Sequence, residues 1–227
     1  MGELDGKVAI ITGAGRLRGI GRATAVSLAK QGASIAITGT GRDPASFPPD
    51  EKEVGWKDVE STAEQVVNEG QEALPLVGDV TNSSDVERMV QQTLDRFGQI
   101  DILVNNAGLR ATGPSFELSE ANWDEVLAVN LKGVAYSCKA VVPAMLANGS
   151  GTIVIISSIS AIVGSRGMAI YDMSKAAVLA LTRNLATEFG LEGIRVNAVC
   201  PGNTITDFHI NRMAKQGVTC LLYTSPS

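Results

Sequence analysis

Tyr171 and Lys175 stand four residues apart in a segment that reads as helix, so a phenol and an ammonium share one helical face. A free tyrosine ionises near pH ~10, and a fixed cation within a few ångströms favours its phenolate by about one to three pH units. The pair is therefore a candidate for exchanging a proton with a substrate hydroxyl. Ser158 lies 13 residues before Tyr171, just after an apolar run, where its hydroxyl can face the same substrate oxygen. Alternation along that run sends Ser157 and Ser158 to opposite faces, so one of them meets the substrate; Ser158 is chosen, with Ser160 a weaker third hydroxyl. Near the other end of the chain Gly13, Gly15, Gly19 and Gly21 separate an apolar run from a helical pattern that begins around Ile20. Missing side chains there let backbone amides and a helix N-terminus approach a pyrophosphate.

The elements that must hold these residues alternate regularly. Short β-branched or apolar runs at 8–12, 34–38, 73–77, 102–105, 152–157 and 195–200 read as six strands. Helical spacing intervenes from about 19 to 31, again at Val59, Ala63, Val66 and Val67, over 123–147 and over 171–189. Between strands three and four, Ser84 and Glu87 form a capping box ahead of Val86, Met89, Val90, Leu94 and Phe97 on a buried side. This pattern predicts an α/β fold, a Rossmann-like doubly wound parallel sheet flanked by helices in the order 3-2-1-4-5-6, with ligands at its carboxyl edge. Two segments depart from a minimal version. The connection from 39 to about 57, with Pro44, Pro48 and Pro49, exceeds the usual two to six residues. The end of the chain shows neither strand alternation nor a capped helix, so one domain is expected over 1–207 and an incomplete or atypical tail over 208–227. A bare apolar edge on strand six would follow.

In chain order, Thr12-Gly13, Asn105-Asn106-Ala107-Gly108, Ser157-Ser158, Tyr171-Asp172-Met173-Ser174-Lys175 and Pro201-Gly202 resemble the motifs of the short-chain dehydrogenase/reductase family. The resemblance runs from Lys7 to about Asp207. It implies an NAD(P)-dependent oxidoreductase that moves a hydride between nicotinamide and a carbonyl or secondary alcohol. Tyr171 would be the general acid or base, Lys175 would lower its pKa and bind the nicotinamide ribose, Ser158 would stabilise the reacting oxygen, and Asn130 would kink a helix and hold a water for proton relay. Cofactor contacts are implied at Gly13, Gly15, Gly19, Ile20 and Gly21, at Asp79 and Val80, at Asn106, Ala107 and Gly108, and at Pro201, Gly202 and Thr206. The family normally continues into a further helix and a seventh strand, which this chain is expected to lack.

Three details separate this chain from the family pattern. The glycine motif T-G-x-x-x-G-x-G is two residues longer here, which leaves the phosphate contacts of Gly15, Arg16 and Leu17 open. Thr204 stands where the family commonly has an aliphatic residue. The acid that closes strand two and binds ribose hydroxyls is replaced by Gly39, while Arg18 and Arg42 could neutralise a 2′-phosphate, so NADP is expected. In the competing arrangement Asp43 folds back to the ribose and the cofactor is NAD. Alternative functions are a 3-oxoacyl carrier-protein reductase and a non-catalytic dinucleotide-binding protein; Tyr171 and Ser158, which binding alone does not need, argue for an enzyme.

With 227 residues, 44% of them hydrophobic and only 4% aromatic, the chain has the length and composition of one large α/β core with a parallel sheet. A formal charge of −5 without a Lys/Arg run argues against nucleic acid as a partner. No run approaches the roughly 18 apolar residues of a membrane span, and Glu3 and Asp5 stand where a signal peptide is basic. A cytoplasmic protein with a small-molecule substrate is expected, forming a homodimer or homotetramer, as the family resemblance implies, if its C-terminus were complete. Three widely spaced cysteines and one histidine, His209, give no metal-ligand spacing, so no metal is expected.

Overall fold

The four residues of β1 (Val8–Ile11) are all buried, as expected for a strand covered by helices on both faces. In the computed structural model, which describes residues 2–206 and Ile210, five further strands lie parallel to it: β2 (Ser34–Gly39), β3 (Ala73–Val77), β4 (Ile102–Asn105), β5 (Gly151–Ile156) and β6 (Ile194–Val199). Their order is β3-β2-β1-β4-β5-β6, the doubly wound order read from the alternation. Ile11 pairs with both Ile37 and Val104, so β1, β2 and β4 deliver their following loops to one edge. The order reverses between β1 and β4, and a crevice opens at that switch point.

Among the described residues seven α-helices accompany the sheet: α1 (Ile20–Lys30), α2 (Pro49–Glu53), α3 (Val59–Asn68), α4 (Ser83–Phe97), α5 (Glu120–Leu127), α6 (Gly133–Ala147) and α7 (Ala169–Phe189). One core joins Ile10, Leu103, Ile153 and Val196 to Val86 of α4, Val141 and Met145 of α6 and Val178 of α7. A second core joins Ile11, Ile35 and Ile37 to Ala25 and Ala29 of α1 and Val59 and Val66 of α3. Each fully buried aliphatic side chain contributes about 1.5–3 kcal/mol relative to exposure, so these two layers fix the sheet edge on which the functional side chains stand.

Three local expectations are corrected or refined. Helix α4 begins at Ser83, and Asn82 caps it by accepting from the amides of Ser84 and Asp85, in place of the Ser84–Glu87 box. A capping box is found instead at Ser119 and Asn122, where α5 starts. The helical region expected over 123–147 consists of α5 and α6 with a π-helical stretch between them, Ala128–Lys132, at the Asn130 where the family resemblance implies a kink. The long connection after β2 is partly helical: a 3₁₀ turn (Pro44–Ser46) and α2 each begin with proline, whose fixed φ and missing N–H suit a first helical position.

Among the described residues β6 pairs with β5 alone, and no helix is long and apolar enough to cross a membrane. Asp207, His209, Cys220 and the rest of the expected atypical tail, apart from Ile210, lie outside the described residues.

Candidate active site

A cleft of about 810 Å³ runs along the carboxyl edge of the sheet. Strand order puts Gly13, Gly15, Thr38 and Asp79 at one end and Ser158, Tyr171 and Lys175 at the other, with Asn106, Ala107 and Gly108 between them. Arg18, Gly19, Ile20, Arg42, Val80, Pro201, Gly202 and Thr206 complete the expected residues on its walls. Two expected residues are not on the walls: Gly21 packs beneath, against the Asn106 amide, and Asn130 lies behind the cleft.

At the reacting end, α7 starts at Ala169, so Tyr171 and Lys175 occupy its first two turns beside the end of β5. The Ser157 hydroxyl donates to the Lys175 carbonyl at 2.8 Å and ties α7 to the strand. Lys175 Nζ donates in turn to the Ile156 carbonyl at 2.8 Å and lies 5.8 Å from the centre of the Tyr171 ring. Ser158, on the other side of the strand end, shares the cleft wall with Tyr171 and lowers the pKa of its phenol, and it accepts from the Ser160 amide at 3.2 Å. Both serines line the cleft, but the Ser157 hydroxyl is committed to the Lys175 carbonyl, whereas Ser158 is the one that acts on the phenol.

The electrostatic balance differs from the simple reading of the pair. Burial raises the Tyr171 pKa above its ordinary value, the neighbouring Ser158 hydroxyl and the positive charge of Arg110 lower it, and Asp172 raises it. Burial also depresses Lys175 to about 8, because its ammonium has left water without a carboxylate partner. Arg110 thus adds a cationic influence on the phenol beside that of Lys175, whose ammonium lies near the ring. Arg110 belongs to no motif; a lone arginine after the β4 turn gives no sequence signal, and only the tertiary fold carries its charge to Tyr171.

Asn130 sits in the π-helical stretch and is fully buried. Its side-chain oxygen accepts from the Leu109 amide at 2.7 Å, and its NH₂ donates to the Leu109 carbonyl at 2.8 Å and to Ser174 Oγ at 2.9 Å. Both amide hydrogens are committed to the protein, so the side chain fixes the post-β4 loop to α7 rather than reaching into the cleft.

At the phosphate end the glycine loop is locked by its neighbours. Gly13 has φ +67°, and a Cβ there would lie 2.7 Å from Ala107 Cα, so only glycine fits. Thr12 Oγ1 accepts from the amides of Asn106 and Ala107 at 3.0 and 3.1 Å, and Asn106 Nδ2 donates to the carbonyls of Thr12 and Gly13 at 2.9 Å each. Asp79 lines the cleft while one of its oxygens caps its own turn at Thr81.

The connection after β2 folds onto this loop. Glu51 accepts from the Leu17 amide, Trp56 Nε1 donates to the Gly15 carbonyl at 2.6 Å, and Thr62 Oγ1 donates to the Ala14 carbonyl at 2.8 Å. Arg42 donates to Glu51 Oε2 at 2.8 Å, to Asp58 Oδ1 at 3.1 Å and to the Gly15 carbonyl at 3.2 Å, with the Phe47 ring 4.6 Å from its guanidinium carbon. Burial alone would lower its pKa, but Glu51 and Asp58 outweigh burial and hold Arg42 above its ordinary value. Both arginines expected to meet a phosphate thus have acidic partners, Arg18 pairing with Asp50. Asp43, the alternative ribose acceptor, instead caps its own turn by accepting from the Ala45 amide at 2.9 Å. Asp58, which sequence reasoning missed, lines the cleft beside Gly15.

The residues present fit a dinucleotide. Helix α1 opens on Gly19 without a side-chain cap, leaving first-turn amides for an anion. Thr38 Oγ1, buried at the end of β2, has no hydrogen-bond partner and belongs to the cleft wall.

Residues 7–217 match the family model described as short chain dehydrogenase. The chain is 41% identical over 202 residues to an oxidoreductase of Thermotoga maritima described as uncharacterized, covering 89% of this chain and 73% of that protein. It is 36% identical to the 3-oxoacyl-[acyl-carrier-protein] reductase of Staphylococcus epidermidis, over 88% of this chain and 76% of that one. The solved structure of NAD⁺-bound xylitol dehydrogenase superposes with a TM-score of 0.82 at 34% identity, covering 93% of this chain and 75% of that one.

Proposed function

This chain belongs to the short-chain dehydrogenase family, and we propose that Tyr171, Ser158 and Lys175 carry out its reaction while Asn130 and Arg110 prepare them. It is an oxidoreductase that transfers a hydride between a nicotinamide dinucleotide and a carbonyl or secondary alcohol. The bound nicotinamide supplies or accepts that hydride. Tyr171 gives a proton to the carbonyl oxygen in reduction and takes one from the hydroxyl in oxidation. Ser158 donates a hydrogen bond to the same oxygen as charge develops on it. Lys175 supports the nicotinamide ribose, and Arg110 favours the phenolate needed for oxidation. Asn130 is a positioning residue that fixes Leu109 and Ser174 on either side of the reacting groups.

The observation that carries this reading is the convergence of Ser158, Tyr171 and Lys175 on one wall of the cleft. A binding module has no use for it, which weighs against a non-catalytic dinucleotide binder. Screening ketones and secondary alcohols with NADH, NADPH and their oxidised forms tests the reading. Absence of any Tyr171-dependent turnover while a dinucleotide binds would defeat it. A 3-oxoacyl carrier-protein substrate is the second reading, favoured by the 36% identity to the Staphylococcus epidermidis reductase. Both NADP(H), expected from Arg18 and Arg42, and NAD(H) belong to the reading at this level. It also takes the protein as cytoplasmic and as a homodimer or homotetramer, the states the family implies; light scattering on the purified protein tests the assembly.

A further inference from the structure

We infer that Asp58 supplies the ribose-binding acid that β2 itself lacks, so that the cleft selects NAD(H) and rejects the 2′-phosphate of NADP(H). The inference rests on the reading of this cleft as a dinucleotide site. Strand β2 ends on Thr38-Gly39, and a Cβ built on Gly39 would lie 2.8 Å from Val59 Cγ1 and 3.8 Å from Asp58 Oδ2, so the start of α3 takes the space of a strand-end side chain. The Asp58 carboxylate therefore stands close to where the side chain of a strand-end acid would extend, although it arrives from 19 residues further along the chain. The glycine loop makes room for it, since a Cβ on Gly15 would fall 1.9 Å from Asp58 Oδ1.

The carboxylate is both fixed and able to accept another hydrogen bond. Its Oδ1 accepts from Arg42 Nε and Nη2 at 3.2 and 3.1 Å, whereas Oδ2 accepts only the Arg42 amide at 3.0 Å. A carboxylate oxygen has two acceptor positions, so Oδ2 keeps one for a ribose hydroxyl. On the opposite face of β2, Thr38 is 1% exposed, has an unpartnered Oγ1 and also belongs to the cleft wall. Asp58 and Glu51 together carry one more negative charge than Arg42 neutralises, and Glu51 is completely buried. A 2′-phosphate would bring further negative charge against this arrangement, with the Arg42 guanidinium already committed to the two acids.

Titration of the purified protein with NADH and with NADPH, followed by nucleotide fluorescence, measures dissociation constants without any turnover. NADH is expected to bind at least about tenfold tighter. Asp58→Asn keeps the side-chain volume but removes the charge and loosens Arg42, so the preference should fall severalfold, with NADH weaker and NADPH tighter. Asp58→Gly, which suits the positive φ at this position, is the companion variant should the asparagine protein fail to fold. Equal or tighter NADPH binding by the wild type, or an unchanged ratio in the folded variants, would overturn the assignment to Asp58 while leaving the dinucleotide cleft intact. Binding of neither nucleotide would overturn the cleft reading and this inference with it.

Discussion

Glu51 Oε1 accepts a 3.0 Å hydrogen bond from the Leu17 amide, across 34 residues of sequence. That contact joins two departures from the family pattern, the lengthened glycine loop and the long connection after β2. With Arg42 and Trp56 both bonded to the Gly15 carbonyl, the two irregular segments form one braced unit. Each supplies backbone or side-chain partners that the other would otherwise lack.

Removing this brace should cost stability. Glu51→Ala leaves the Leu17 amide without its acceptor and Arg42 with only one of its two carboxylates, so a loss of about 3 kcal/mol is expected. Urea unfolding monitored by circular dichroism measures it, and weaker dinucleotide binding should accompany it because the loop after β1 loosens. A change below about 0.5 kcal/mol, the scale of an ordinary surface substitution, would show that the brace carries no load.

Tyr171→Phe should reduce turnover by about 10²–10⁴-fold, the usual contribution of one acid/base group. The phenol hydroxyl is removed while the ring remains against Lys175, so dinucleotide affinity should change little. Parallel measurement of kcat and of the dinucleotide dissociation constant separates the two; retained turnover would exclude Tyr171 from proton transfer.

Arg110→Gln tests which cation acts on the phenol. The positive charge of Arg110 pulls the Tyr171 pKa down against the effect of burial. Its removal should move the rising limb of alcohol oxidation, which needs phenolate, to higher pH. A profile that stays in place would leave the role to Lys175.

Lys175 should make the stability of the dinucleotide-free protein depend on pH in the alkaline range. Its folded pKa is depressed to about 8, against an ordinary value of 10.5. Below the folded value both states are protonated, and the folded protein bears the full cost of a buried ammonium. Between the two values the unfolded chain binds more protons, so stability rises with pH by up to about 1.4 kcal/mol per pH unit from this group. Above the unfolded value the cost has gone. Lys175→Met lacks this contribution, though it also removes the donor to the Ile156 carbonyl. The wild-type-minus-variant difference should therefore climb from pH 8 to about 10.5 in thermal melts; a flat difference would contradict the depressed value.

How much could be read in advance depends on the range of the interaction. Tyr171 and Lys175 are legible because a helix repeats every ~3.6 residues and brings positions four apart together. Ser158 is legible for a similar reason, since strand alternation separates it from Ser157. The division at Asn130 is less so: its amide answers to Leu109 and Ser174, and neither partner is fixed by helical spacing. The long connection reads correctly as unusual, yet its prolines say nothing about which residue will face the cleft. Asp43 is nearer the end of β2 in sequence, but its carboxylate is spent on the Ala45 amide. Asp58 is near in space because α3 packs against the sheet and carries its first turn back to Gly15 and Gly39.

By itself the sequence determined the alternation of strands and helices, and with it the doubly wound sheet, since each strand needs a covering helix and crossovers have one hand. It also determined which short motifs stand at the carboxyl edge. Only the tertiary structure brought Arg110 to the same cleft as Tyr171, paired Arg42 with Glu51 and Asp58, and set Asp58 against Gly15. Periodicity is a property of neighbouring residues along one element, whereas charge acts through space and pairs whatever groups the packed chain brings within a few ångströms.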